Sequence, residues 1–191
     1  MSGVLDKIKS GVPLSRLEKE MAKREQAHKV VLLLDTSGSM SSQADSPGER
    51  RIDALRGVVA SLQQQSVPYK QLVFNTDCAW SDIIPEPTGG TNLSGALEFV
   101  EKISPQHLIV VSDGEPDSQE ATLAIAKRLG CKIDVFYVGP KGSPGEAFLK
   151  QLAKSTGGSA ETVSFKELTA KIAGILAASN SEAKPSEPIA L

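Results

Sequence analysis

Little in this 191-residue sequence points to redox, nucleotide or membrane chemistry. Its two cysteines, Cys78 and Cys131, are too few and too far apart in sequence to make a disulfide framework. Cys131 opens an apolar strand and reads as a small core residue. No apolar stretch approaches the roughly 20 residues that span a bilayer. The first residues lack the basic-then-apolar shape of a secretory leader, so a cytoplasmic location is expected. A net charge of -2 gives no electrostatic reason to expect nucleic acid or an acidic membrane as partner. Neither G-x-G-x-x-G nor a Walker A sequence occurs, which removes the usual phosphate-cradling routes to nucleotide binding. No internal repeat is present.

What is present is a chain long enough for one sizeable core, organised around residues 30–40. Val30, Val31, Leu32, Leu33 and Leu34 form an unbroken apolar run, short and partly β-branched, as in a strand buried on both faces of a parallel sheet. The run stops at Asp35 and becomes hydroxyl-rich through Ser37 and Ser39. A buried strand that opens this way delivers oxygen atoms to the edge where α/β sheets bind ligands.

Residues 1–28 form a charged leader, with Leu14, Leu17 and Met21 at helical spacing, expected to lie as a helix against the domain. The domain itself occupies residues 29–178, and residues 179–191, serine- and proline-rich without periodicity, read as a disordered tail. Three capping-box patterns mark helix starts at Ser46-Pro47-Gly48-Glu49, Ser143-Pro144-Gly145-Glu146 and Ser164-Phe165-Lys166-Glu167, the last helix reaching about Ala177. Strands are expected at residues 71–75, 78–84, 107–111, 131–138 and 159–163, the first two forming an antiparallel edge hairpin. Trp80 on that hairpin reads as packing rather than as a recognition anchor. Helices enter at Thr91-Asn92 and after Asp117, where Asp117 and Glu120 are expected to cap. Strands alternating with helices of about 10 to 15 residues indicate an α/β fold: a doubly wound, mostly parallel central sheet flanked by helices, with one antiparallel edge strand.

Three loops leave the carboxyl side of that sheet: residues 35–39, 88–92 and 112–114. In a doubly wound sheet the carboxyl ends of the first strand and of the strand after the reversal flank the crevice. Asp35 and Asp113 then lie side by side, with Thr91 able to reach between them. Two carboxylates and three hydroxyls (Asp35, Asp113, Ser37, Ser39 and Thr91) with no thiol or imidazole select a hard cation, Mg²⁺ or Mn²⁺. If one carboxylate acts through water, the ion keeps positive charge and attracts an anion such as an acidic side chain of another protein.

This pattern, D-x-S-x-S with a later threonine and a later Asp-Gly, resembles the von Willebrand factor A (VWA) domain and its metal-ion-dependent adhesion site (MIDAS). The likeness covers about residues 30–177 and includes Gly89-Gly90-Thr91-Asn92-Leu93. It implies a Rossmann-like VWA fold in which Ser37 and Ser39 bind Mg²⁺ or Mn²⁺ directly. Asp35 would act mainly through water and by orienting its loop, and Thr91 and Asp113 directly or through water. It further implies protein–protein recognition completed by a partner's Asp or Glu. Intracellular relatives serve as recruiting or scaffolding subunits, some alongside AAA+ ATPases.

Taken singly, each loop is explained as an ordinary Ser- and Gly-rich connection, with Asp35 and Asp113 as helix caps and the serines facing solvent; the three in order are not. His28 and His107 each precede a buried strand, at the opposite end of the sheet, so neither is placed as the base of a Ser-His-Asp arrangement. Arg50 and Arg51 begin the helix after the first loop, within reach of the rim, although first-turn charges are commonly solvated. The expected function is therefore a metal-dependent protein-binding module with no catalysis of its own. One alternative is a Mg²⁺-dependent phosphotransferase or phosphohydrolase with a nucleophilic Asp35. That enzyme class usually carries a second carboxylate two residues later, where this chain has Ser37. The other alternative is an assembly scaffold with a vestigial site.

Overall fold

The computed structural model describes residues 30–65 and 68–181. The leader expected over residues 1–28, including His28, and the tail beyond Ser181 lie outside the described residues. Among these, the strands are β1 (Val30–Asp35), β2 (Lys70–Phe74), β3 (Cys78–Trp80), β4 (His107–Ser112), β5 (Lys132–Tyr137) and β6 (Ala160–Thr162). The helices are α1 (Arg51–Gln64), α2 (Leu93–Ile103), α3 (Gln119–Leu129), α4 (Pro144–Ser155) and α5 (Phe165–Ser181), with a 3₁₀ turn at Gly38–Ser41.

The strands form one sheet in the order β3-β2-β1-β4-β5-β6, parallel throughout except for β3, which runs antiparallel to β2 at the edge. This is the doubly wound, mostly parallel architecture expected from the sequence. Every residue of β1 is buried, and its alternate side chains enter two different cores. Val30, Leu32 and Leu34 pack with Ile52 and Leu55 of α1 and Leu168 and Ile172 of α5. Val31 and Leu33 pack with Leu97 of α2, Ile125 of α3 and Leu149 of α4. Each fully buried leucine contributes roughly 1.5–3 kcal/mol from burial alone. The apolar run of β1 thus holds the two helical layers on either side of the sheet.

From β1 the chain passes through α1 to β2 on one side, then returns from β3 through α2 to β4 on the other. The direction reverses between β1 and β4, so their carboxyl ends flank the crevice that such sheets use for ligands.

Local boundaries differ where turn chemistry overrides pattern. The first capping box does not start a helix. Gly48 adopts φ +82°, and Ala44 N–H donates to Glu49 O at 2.7 Å. With an isolated antiparallel bridge between Gln43 and Arg50, this makes residues 43–50 a tight hairpin and delays α1 to Arg51. The other two boxes do open helices: Ser143 accepts from Glu146 N–H at 3.1 Å, and Ser164 N–H donates to the Glu167 carboxylate at 3.2 Å. The third strand ends at Trp80 rather than near Ile84, because the Ser81 hydroxyl turns the chain by donating to Ile83 O at 2.7 Å. The last helix continues past Ala177 to Ser181. Trp80 meets Phe99 edge-on with ring centroids 6.1 Å apart, while 43% of its surface stays exposed.

Candidate functional site

Asp35 closes β1, and its fully buried carboxylate is held at both oxygens. Oδ1 accepts from Ser37 N–H at 2.8 Å and Oδ2 from the Ser112 hydroxyl at 2.5 Å. Burial pushes its pKa up to about 6, against the lowering effect of these hydrogen bonds, and the charge of nearby Asp113 adds to the rise. The Ser39 hydroxyl donates to Asp113 Oδ1 at 2.6 Å. Ser37 Oγ lies 3.0 Å from Ser39 Oγ, and because Ser39 has given its one proton to Asp113, Ser37 is the donor between them. Ser37, Ser39 and Asp113 therefore form a chain of oxygens, with Asp35 orienting the backbone that carries the first two.

Thr91 enters from the second loop through ties to both of the others. Gly38 N–H donates to Gly89 O at 3.1 Å and Thr88 N–H to Thr36 O at 2.9 Å, joining the first and second loops. Asp117 N–H donates to Thr91 O at 3.0 Å, and Thr91 N–H returns a bond to Asp117 Oδ1 at 3.2 Å, joining the second and third. Asp117 is thus a loop clamp rather than the expected helix cap; Ser118 caps α3 by accepting from Ala121 N–H at 3.3 Å. A Cβ built on Gly114 would sit 3.7 Å from Ser39 Oγ and 4.0 Å from Thr91 Oγ1, so both hydroxyls converge on that backbone. A side chain at Gly89 would be strained, because φ is +73° and its Cβ would meet Thr76 Oγ1 at 2.5 Å.

The structure adds a residue that the sequence left at the rim. Arg51 Nη1 donates to Asp113 Oδ2 at 2.5 Å, with 13% of the Arg51 side chain and none of the Asp113 side chain exposed. Arg50 turns away to Asp53 and Glu86, at 2.7 and 2.9 Å. Arg56 reaches the same two carboxylates at 2.7 and 2.8 Å, so the network fastens the loop before Gly89 onto α1. From the sequence Arg51 was placed only within reach of the rim, and neither Ser112 nor Asp117 was named among the site's side chains. Only Ser112, within the apolar-strand-to-hydroxyl switch, carried a local signal.

The donor set fits a hard divalent ion. Adjacent ligands of a Mg²⁺ octahedron with bonds of 2.0–2.1 Å lie about 3 Å apart. The Ser37–Ser39 spacing of 3.0 Å matches that edge, and Ser39 to Asp113 at 2.6 Å needs only a small opening. Among the described residues, no cluster of three or more His, Cys, Asp and Glu side chains gathers to hold a metal. A cation here would therefore depend on hydroxyls and two carboxylates. His107 lies at the other end of the sheet, its Nε2 2.7 Å from Asp134 Oδ2, and supplies no base to the crevice.

No protein-family model matches this chain, and no curated protein sequence matches it. Solved structures do. An aerotolerance-related membrane protein from Bacteroides fragilis NCTC 9343, carrying multiple mutations to serines, superposes with a TM-score of 0.59 at 19% identity. The match covers 78% of this chain and 98% of that one. A von Willebrand factor type A protein from Catenulispora acidiphila superposes with a TM-score of 0.61 at 15% identity, over 78% of this chain and 42% of that one. Among the described residues, no helix is long and apolar enough to cross a membrane. The six-stranded sheet, its single antiparallel edge and these two likenesses together establish that the chain has a VWA-like, Rossmann-type fold.

Proposed function

We propose that this protein is a protein-binding module whose recognition depends on a Mg²⁺ or Mn²⁺ ion held by Ser37, Ser39, Thr91 and Asp113, with Asp35 as orienting carboxylate. The observation that carries the reading is the oxygen chain Ser37–Ser39–Asp113, whose members come from two loops and lie at 3.0 and 2.6 Å. Two carboxylates neutralise a divalent ion only if both bind it. Both Asp35 oxygens already accept hydrogen bonds, from Ser37 N–H and the Ser112 hydroxyl, so an ion bound by the Asp113 carboxylate alone would keep half of its charge to attract an anion. A carboxylate from a partner's Asp or Glu suits the open position. The fold neighbours support an interaction module in general terms, and the metal dependence rests on the donor set.

The phosphotransferase alternative gains no support from Asp35, the nucleophile it requires. That carboxylate is fully buried, and each of its oxygens already accepts a hydrogen bond. Capture from native lysate tests the proposal, using tagged protein in Mg²⁺ or Mn²⁺, in EDTA, and with Asp35→Ala. Proteins retained only with metal and intact Asp35 support it. An identical bound set in all three conditions returns the domain to the scaffold reading, and Mg²⁺-dependent phosphoester turnover lost in Asp35→Asn returns it to the enzyme.

A further inference from the structure

Arg51 has no place in the five-residue donor set, yet it makes one of the shortest contacts in the site. Its guanidinium lies 2.5 Å from Asp113 Oδ2, while Asp113 Oδ1 is held by Ser39. Both side chains are largely withdrawn from water. A short, buried guanidinium–carboxylate contact is a strong hydrogen bond, because neither solvent nor salt competes effectively for it. The neighbouring Arg50 shows that this placement is selective. It immediately precedes the same helix, yet it goes to Asp53 and Glu86 on the outer surface. A guanidinium cannot lose its proton at any ordinary pH, so Arg51 is a permanent positive charge beside the oxygen that a cation would use.

Resting on the metal-binding reading above, we propose that Arg51 is a built-in competitor for the metal and, once displaced, a second positive anchor for the incoming carboxylate. Its guanidinium neutralises the Asp113 side chain, which is fully buried. A divalent ion bound to Asp113 repels the guanidinium and takes over that neutralising role. Arg51 then stands at the crevice rim with five N–H donors and no acceptor of its own, suited to a carboxylate held in two-point contact. The same residue thus weakens affinity for metal and strengthens affinity for the acidic ligand. The two effects have opposite signs: Mn²⁺-saturated Arg51→Gln should hold acetate several-fold more weakly than the Mn²⁺-saturated wild type, and equal acetate affinity overturns the anchor role.

The test is Mn²⁺ titration of the full chain followed by electron paramagnetic resonance, for the wild type, Arg51→Gln, Arg51→Lys and Asp35→Ala. Thermal unfolding of each is measured with and without Mn²⁺. The wild type should bind one Mn²⁺ and Asp35→Ala should bind far more weakly. Arg51→Gln should bind Mn²⁺ about tenfold more tightly, the size expected when one charge-assisted hydrogen bond need not be displaced. Arg51→Lys should fall between. Without metal, Arg51→Gln should melt lower than the wild type because Asp113 is left unpaired, and Mn²⁺ should raise its Tm by more than it raises that of the wild type. Equal or weaker Mn²⁺ binding by Arg51→Gln, with the wild type binding normally, overturns the role of Arg51 alone. Absence of Mn²⁺ binding in every variant, wild type included, overturns the metal reading and this inference with it.

Discussion

The hydroxyl of Ser39 donates to Asp113 Oδ1 at 2.6 Å, across 74 residues of sequence, and so joins the loop after β1 to the loop after β4. These are the two strands between which the chain reverses direction, and the contact therefore spans the crevice that open α/β sheets use for ligands. Ser39 itself is exposed, whereas Ser37, Asp35 and Asp113 behind it are buried. The site consequently has a rigid floor and an accessible edge.

Ser39→Ala separates function from stability. The hydroxyl it removes donates to the buried Asp113 carboxylate from an exposed position, so the expected loss is about 1–3 kcal/mol. Mn²⁺ binding should nevertheless fall at least tenfold. Urea unfolding and metal titration of one preparation check both halves.

Leu33→Ala tests the role of β1 as the wall between two cores. Leu33 is fully buried between β2 and β4 and packs among residues of α2 and α4. Truncation should cost about 2–5 kcal/mol. Equilibrium urea unfolding measures this directly.

Two glycine substitutions should move stability in opposite directions. Gly89→Ala forces a side chain into a left-handed backbone position and against Thr76, and should cost more than about 1 kcal/mol. Gly174→Ala lies within α5, where a Cβ meets nothing within 4 Å, and should stabilise by about 0.5–1 kcal/mol. Thermal unfolding of the two variants beside the wild type distinguishes them.

Glu146 sets a pH dependence of known sign. Hydrogen bonds from Lys150, Thr162 and Gly142 N–H hold its carboxyl down to about 2. Its unfolded value is about 4.3. A depressed carboxylate contributes stability that is fully present above the unfolded value and is lost as pH falls toward the folded one. Wild-type stability should therefore drop between about pH 4.3 and 2 more steeply than that of Glu146→Gln. Acid titration of the two proteins, followed by circular dichroism, checks it.

The sheet was legible because its strands announce themselves as unbroken apolar runs, in β1 and β4 above all, each ending in Asp or Ser. Asp35, Ser37, Ser39 and Asp113 stood out as oxygen-bearing residues after those runs, and Thr91 in the glycine-rich loop before α2. Their mutual ties did not. Arg51 and Asp113 stand 62 residues apart, and no periodicity reports which of two adjacent arginines turns inward. Asp117 looked like a cap because it precedes a helix, but its carboxylate is drawn to the Thr91 amide of another loop. The Ser46 box failed for a local reason: Gly48 in a left-handed conformation turns the chain back before a helix can start.

The most direct test of the central claim is calorimetric titration of the purified protein with Mg²⁺, beside a Ser37→Ala/Ser39→Ala double variant shown by circular dichroism to be folded. A single saturable site in the wild type, absent from the double variant, is the predicted result. No saturable Mg²⁺ binding, or binding unchanged by loss of both hydroxyls, would contradict the account.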